Sequence, residues 1–436
     1  MNYYSLNNPS TRVSFKEATI QGQAPDKGLY FPETIPRLPA HLLQNIDNLS
    51  RNELAYQVIR PYTGDTLPES ELRRIVAETI EFDFPLVEVS PLIQSLELFH
   101  GPTLAFKDVG ARFMSRCLGY FVRGNDQPVT VLVATSGDTG GAVASGFYNV
   151  EGVQVVILYP SGKVSSVQEL QLTTLGKNIT ALEVSGSFDD CQRMVKEAFA
   201  DPTLNKQRFL TSANSINVAR WLPQQFYYFF AWQQWNDKTQ PPVISVPSGN
   251  FGNICAGLMA HSSGLPVNHF IAACNANSVI TDYLQTGEYR SRAAIPTLSN
   301  AMDVGNPSNF VRILEIFEKK LPALKKVLSS VSISDEETRA TILELYQRYH
   351  YLPDPHGAVG YLALEKYLSA HPPKDGQIQK GIFLETAHPV KFYDTVEPLI
   401  GQKIPLPPSV AALLDKPKHS KKIKADYSEL KDFLLS

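Results

Sequence analysis

Cysteine is scarce. Only Cys117, Cys191, Cys255 and Cys274 occur in 436 residues, and no two of them form a CxxC pair. That excludes a zinc ribbon or a thioredoxin-type site. Four cysteines so far apart make no disulfide scaffold, so a reducing compartment is the default. No HExxH or similar histidine pair supports a metal. No apolar run reaches the ~18 residues needed to span a bilayer. The opening Met1-Asn2-Tyr3-Tyr4-Ser5 lacks both the charged and the apolar region of a signal peptide. Charge of one sign is missing too: 40 basic residues face 43 acidic ones, a formal charge of -3. Phosphate contacts to nucleic acid need a basic excess, which this balance does not supply. The expectation is a cytoplasmic globular protein with no nucleic-acid or membrane partner.

Hydrophobic residues make up 43% and charged residues 19% of the chain, enough for a large core. Residues 1–90 open irregularly, with Gly28, Pro32 and Pro36. Apolar positions then recur at spacings of three and four: Leu42 to Ile46, Leu54 to Ile59, Leu72 to Ile80. This reads as a helical N-terminal unit. From about residue 128 the pattern changes. Val129–Ala134, Val153–Tyr159, Val243–Val246, Phe270–Ala273 and Gly381–Leu384 are short, nearly unbroken apolar runs separated by helical stretches. Such runs belong to parallel strands covered on both faces by helices. The fold class is therefore α/β, with two open twisted sheets. One α/β domain is expected over 91–215 and a second over 216–436. The pocket is expected outside the carboxyl ends of the strands. The lysines after Pro408 read as a solvated charge run.

Two strand ends run into glycine-rich turns and then helices: Thr135-Ser136-Gly137-Asp138-Thr139-Gly140 and Ser248-Gly249-Asn250-Phe251-Gly252-Asn253. Each reads either as a tight strand-to-helix turn or as a cradle of backbone N–H groups for an anion. Neither is a P-loop or a GxGxxG fingerprint, which removes the main support for nucleotide-dependent readings. Lys107 follows Leu104-Ala105-Phe106. In such a setting a lysine is either an ion-pairing surface residue or an amine of lowered pKa able to form a Schiff base. Asn214, Ser215 and Arg220 read as an oxyanion site or as a helix cap followed by a surface arginine. Thr386, after the last strand, reads as a strand-end cap or as a hydroxyl able to meet a ring nitrogen. His356 and His388 read as packing or loop histidines.

Taken in order, Gly28-Leu29-Tyr30-Phe31-Pro32, Gly101 to Asp108, Ser136 to Gly140, Gly249 to Asn253, Asp354-Pro355-His356-Gly357 and Thr386-Ala387-His388-Pro389 resemble the threonine synthases of the longer bacterial and fungal type. These are pyridoxal-phosphate enzymes of fold type II, the tryptophan synthase β-like group. The resemblance implies that Lys107 carries pyridoxal 5'-phosphate. It implies that Gly249, Asn250, Phe251, Gly252 and Asn253 hold the cofactor phosphate, and that Thr386 meets the pyridine nitrogen. Asp138 would face the cofactor's 3′ oxygen. Many relatives have Asn there, and two negative oxygens in contact repel, so a proton or another partner is implied. Thr135, Ser136, Gly137 and Thr139 match a loop for the substrate carboxylate. Asn214, Ser215 and Arg220 match residues that hold the substrate phosphate. The implied reaction converts O-phospho-L-homoserine and water to L-threonine and phosphate, in a monomer or homodimer without a metal.

Overall fold

The apolar runs read from the sequence are strands with every residue buried, apart from Gln154, which is exposed. A computed structural model describes residues 1–372 and 378–436. A five-stranded sheet has the order Ser420–Lys424, Ile179–Ser185, Val153–Pro160, Val129–Ala134, Phe209–Thr211, and all its pairings are parallel. A six-stranded sheet has the order Leu328–Ser332, His269–Cys274, Val243–Pro247, Gly381–Glu385, Ile93–Glu97, Leu86–Ser90. Only its last pairing is antiparallel. Parallel strands with such continuous burial require helices on both faces.

The sheets do not respect the contiguous ranges expected from the sequence. Leu86–Ser90 lies before the expected boundary, yet it pairs with Ile93–Glu97 in the sheet built mainly from residues after 242. Conversely, Ser420–Lys424 lies in the range expected for the second domain and adds a parallel edge strand to the five-stranded sheet. The reading of this tail as a charge run missed that strand. Ile423 is its single buried residue. Lys418, Lys422 and Lys431 face Glu169, Glu183 and Asp201. Exposed pairs of this kind hold little stability each.

The N-terminal unit carries strands in the stretch read as an irregular opening. Its helices Arg51–Thr63 and Glu69–Thr79 bury the expected Leu54, Val58, Ile59, Leu72, Ile75 and Val76. Beside them Asn2–Ser5, Val13–Ser14 and Tyr30–Pro32 form a small antiparallel sheet. These strands have four, two and three residues, too short to display a period of two. Arg312 locks this unit to the rest. Its buried guanidinium donates to Tyr30 O, Ser215 O, Ile216 O and Asn309 Oδ1, and lies 4.3 Å from the Trp221 ring centre.

Two packed histidines make stability depend on pH. His269 lies 3.0 Å from Ser329 Oγ and stacks on Tyr367. Burial pushes it down to about 4, helped by His371. Burial, with His100 beside it, pushes His388 down to about 4 as well. Both are neutral when folded at pH 7, whereas an unfolded histidine binds a proton below ~6.5. Their contribution is complete above that value and is lost as pH falls toward 4. The urea midpoint is expected to drop between pH 7 and pH 5, and to drop less in His269→Gln. Equal pH slopes for the two proteins would overturn this assignment.

Candidate active site

Every sequence-predicted site segment follows the carboxyl end of a strand. Ala134 leads into Thr135–Gly137, Thr211 into Ser212–Asn217, Pro247 into Ser248–Phe251, and Glu385 into Thr386. Glu97, the end of a strand parallel to Gly381–Glu385, leads through a short turn to Lys107. These are the positions at which open α/β sheets bind ligands.

Lys107 is the first residue of helix Lys107–Val122. The turn before it is pinned from both sides. Phe106 N donates to Thr386 O at 2.9 Å, and His388 N donates to Leu104 O at 3.1 Å. Phe106 O accepts from Tyr227 Oη. Leu104 has a left-handed backbone, φ 58°, which turns the chain sharply ahead of the lysine. Lys107 is half-buried and still reaches the cleft. Among the described residues no acceptor is hydrogen-bonded to its amine. Burial lowers its pKa; Asp138 opposes this, while Lys391 and Arg220 add to it.

Asp138 has two partners within the protein. Lys391 Nζ lies 2.7 Å from its Oδ1, and Gln168 Nε2 donates to the same oxygen at 3.0 Å. Burial alone would raise this carboxyl. Lys391, then Lys107 and Gln168, hold it well below the ordinary carboxylate range. It is ionised, and no extra proton is needed. Sequence reasoning missed Lys391. The available signal was its place five residues after Thr386, in the short turn Pro389–Phe392 that His388 caps.

Within the Thr135–Gly140 turn, Thr135 departs from expectation. Its hydroxyl accepts from Gly137 N and Gly140 N and donates to Gly137 O, each at 3.0 Å. It shapes the loop and has no bond left for a carboxylate. Ser136 and Thr139 remain partly exposed on the same turn. Gly137 adopts φ 157°, and a Cβ there would lie within 3.0 Å of Gln168.

The second loop is shaped for an anion. Phe251 is left-handed, φ 62°, and directs the chain into helix Gly252–Ser262. Asn250 Oδ1 accepts from Ser308 N and Oγ, and Asn309 Nδ2 donates to Asn250 O. Asn253 Oδ1 accepts from Tyr228 Oη at 2.9 Å, whereas its buried Nδ2 has no partner. Tyr227 and Tyr228 thus tie the lysine turn and this loop to one helix, Gln225–Gln234. A Cβ on Gly249 would lie 2.7 Å from Met302 Cα and 3.0 Å from Ala301 O, both backbone. Gly249→Ala is therefore expected to displace the loop and weaken binding of any phosphate group held there by roughly 5- to 100-fold, the range for an overpacked contact. Spectroscopic titration with pyridoxal phosphate checks this; unchanged affinity would mean that the loop holds another anion.

Ser215 joins the two expected phosphate sites. Its Oγ accepts from Asn309 Nδ2 at 3.1 Å and lies 3.5 Å from Asn250 Nδ2. Asn214 is held by its own turn through Ser212 Oγ and Asn217 N. Arg220 is buried under the Lys107 helix, where a Cβ on Gly110 would lie 2.5 Å from Arg220 O. Its Nη1 donates to Ala213 O at 2.6 Å, and its buried Nε has no partner. Among the described residues no carboxylate is within ion-pair distance of it. Burial pushes its guanidinium down to about 10, opposed by Tyr227 and Asp108, so it remains charged at neutral pH. Arg312 is equally buried, but carbonyls surround it. The contrast makes Arg312 a brace and leaves Arg220 with a single backbone acceptor.

Thr386 is buried, and among the described residues its hydroxyl makes no hydrogen bond to protein. Ahead of it, Glu385 Oε1 accepts from Asp354 N at 2.7 Å, and Asp354 Oδ2 lies 2.6 Å from His356 Nδ1. His356 Nε2 in turn accepts from Ala301 N at 3.2 Å. This chain links the Thr386 strand to the backbone over Gly249. Among the described residues no cluster of His, Cys, Asp and Glu has metal-binding geometry.

A free lysine amine, an unpartnered asparagine amide and a glycine-lined helix start fit an aldehyde bearing a phosphate. Comparison with known proteins agrees on the class. Residues 85–378 match the family described as pyridoxal-phosphate dependent enzyme. A threonine synthase from Serratia marcescens is 44% identical over 100% of this chain and 99% of its own length. The crystal structure of threonine synthase from Escherichia coli has a TM-score of 0.91 at 41% identity, covering 100% of this chain and 99% of that one. A pyridoxal-phosphate-bound threonine synthase from Brucella melitensis has a TM-score of 0.92 at 33% identity, with the same coverage. Residues 2–80 match the threonine synthase N terminus, and residues 357–434 match the threonine synthase C-terminal region. The chain belongs to the threonine synthase family, and its cofactor is pyridoxal phosphate.

Proposed function

We propose that the chain converts O-phospho-L-homoserine and water to L-threonine and phosphate, by γ-elimination and then addition of water at Cβ. The observation that carries this reading is the unpaired, buried Arg220 beneath the Lys107 helix. A substrate that leaves as a phosphate dianion supplies the charge that this guanidinium lacks. An unphosphorylated amino acid brings only its carboxylate, which this reading assigns to the Ser136–Thr139 turn.

When bound, pyridoxal phosphate would supply an electron sink that stabilises negative charge developing on the substrate carbons. Lys107 would hold the cofactor and move protons at substrate Cα and Cβ. Its lowered proton affinity suits that task near neutral pH. Gly249, Asn250, Phe251, Gly252 and Asn253 hold the cofactor phosphate with backbone N–H groups and the free Asn253 amide. Thr386 offers the ring nitrogen a neutral hydroxyl, and Asp138 stands by the 3′ oxygen. Ser136, Gly137 and Thr139 receive the substrate carboxylate, with Thr135 shaping that turn from behind. Asn214, Ser215 and Arg220 take the substrate phosphate. Balanced charge and the lack, among the described residues, of any helix long and apolar enough to cross a membrane support a cytoplasmic protein whose partner is its small-molecule substrate. Monomer and homodimer both accord with this reading.

The test is stoichiometric. Purified protein incubated with O-phosphohomoserine is expected to release phosphate and form threonine one to one. Phosphate with a keto acid in place of threonine would make the chain a phospho-lyase and overturn the proposal.

A further inference from the structure

Asp138 is a buried carboxylate, and everything that holds it reaches one oxygen. Both Lys391 Nζ, at 2.7 Å, and Gln168 Nε2, at 3.0 Å, meet Oδ1. Among the described residues no donor is hydrogen-bonded to Oδ2, which is left for the contents of the cleft. The Lys391 side chain is 0% exposed and that of Asp138 is 4% exposed. Lys391 Nζ also donates to Thr103 O at 2.7 Å, and Gln171 Nε2 reaches the same carbonyl at 3.1 Å. Thr103 in turn donates through N and Oγ1 to Asp108, the residue after Lys107. The ammonium is thus held between the Asp138 helix and the Lys107 turn, with no route to solvent. A buried pair of this kind persists only when its remaining protons and lone pairs are satisfied.

Other charges face the same centre. Lys107 meets Asp138 from the helix Asp138–Phe147, Lys391 from the turn after the last strand, Arg220 from Val218–Trp221, and Asp354 from the cap of Pro355–Ala370. Asp108 lies beside it on its own helix. Asp138 itself faces Lys391, Lys107 and the neutral Gln168.

We infer that Lys391 is a positioning residue for this reaction: its ammonium closes a neutral pair with Asp138 that fixes the carboxylate's direction and sets how readily the Lys107 nitrogen holds a proton. The inference rests on the assignment of Lys107 made above. Its mark is charge complementarity. Removing Lys391 leaves a net negative charge beside Lys107, which favours the protonated nitrogen. Removing the Asp138 charge leaves a net positive one, which favours the neutral nitrogen. Removing both restores the balance. A side chain that merely filled space would not produce shifts of opposite sign.

The measurement is a pH titration of the visible absorbance of the holoenzyme. Lys391→Met is expected to raise the apparent pKa by about one unit or more, and Asp138→Asn to lower it by a similar amount. The double variant is expected to return to within a few tenths of a unit of wild type, and Lys391→Arg to stay close to it. Turnover is not expected to return in the double variant, because an amide replaces the Asp138 carboxylate and only one of its two acceptor oxygens remains. If Lys391→Met does not fold, Asp138→Asn and the double variant decide the matter, since that double variant buries no unpaired charge. A double variant that stays at the Asp138→Asn value, or single variants shifted the same way, overturns the inference. Borohydride labelling separates this from a failure of the underlying reading. If the reduced cofactor maps to another lysine, the reading of the site falls and takes the inference with it. If it maps to Lys107 and the titration ignores Lys391, the inference alone falls.

Discussion

Lys107→Ala is expected to cost at least ~10⁴-fold in turnover, the largest loss of any single substitution in this chain, because attachment of the cofactor and proton transfer fail together. The fold is expected to survive. Among the described residues the Lys107 amine makes no hydrogen bond, and Asp138 keeps its ion pair with Lys391 when Lys107 is gone. The thermal midpoint is therefore expected to stay near that of wild type while the yellow colour of the holoenzyme disappears. Lys107→Arg preserves a charge but not a nucleophilic amine, and is expected to be as inactive as Lys107→Ala. Retained colour together with retained turnover in Lys107→Ala would place the cofactor on another lysine.

What was legible in the sequence was local. Lys107, the Ser136–Gly140 turn and the Gly249–Asn253 loop each occupy a few consecutive residues between a strand and a helix. Hydropathy finds the strand, and glycine marks the turn. Their partners come from distant parts of the chain, and no spacing announces them. Asp138 is held by Lys391, and Asn250 by Ser308 and Asn309. The hydroxyl of Thr135 is spent inside its own turn, which its type and position do not disclose. The sheets were hidden for a similar reason. Edge strands expose one side, so Leu86–Ser90 and Ser420–Lys424 carry few buried apolar residues and read as a boundary and a charge run. Arg220 and Arg312 look alike in the sequence. Only the count of acceptors around each guanidinium tells the two apart.

Arg220→Ala is expected to lower kcat/KM for O-phosphohomoserine by roughly 30- to 1000-fold, about 2–4 kcal/mol of transition-state stabilisation from a charged donor in a closed site. The guanidinium gives Ala213 O one bond and leaves Nε without a partner. A phosphate oxygen that meets the guanidinium relieves an uncompensated buried cation, and the relief is greatest as the leaving group gains its second charge. Arg220→Lys keeps the charge but loses the planar fork, so it is expected to recover only part of the rate. Inhibition by inorganic phosphate is expected to weaken in parallel. Cofactor content is expected to stay unchanged, because the Gly249–Asn253 loop is braced by Ser308, Asn309 and Tyr228 and not by Arg220. Added guanidinium ion is expected to restore part of the activity of Arg220→Ala and none of that of Lys107→Ala, which separates a missing charge from a collapsed helix. If Arg220→Ala loses the cofactor and still binds O-phosphohomoserine normally, the two phosphate sites exchange roles. If it unfolds at lower temperature with kcat/KM intact, Arg220 serves only the packing beneath Gly110.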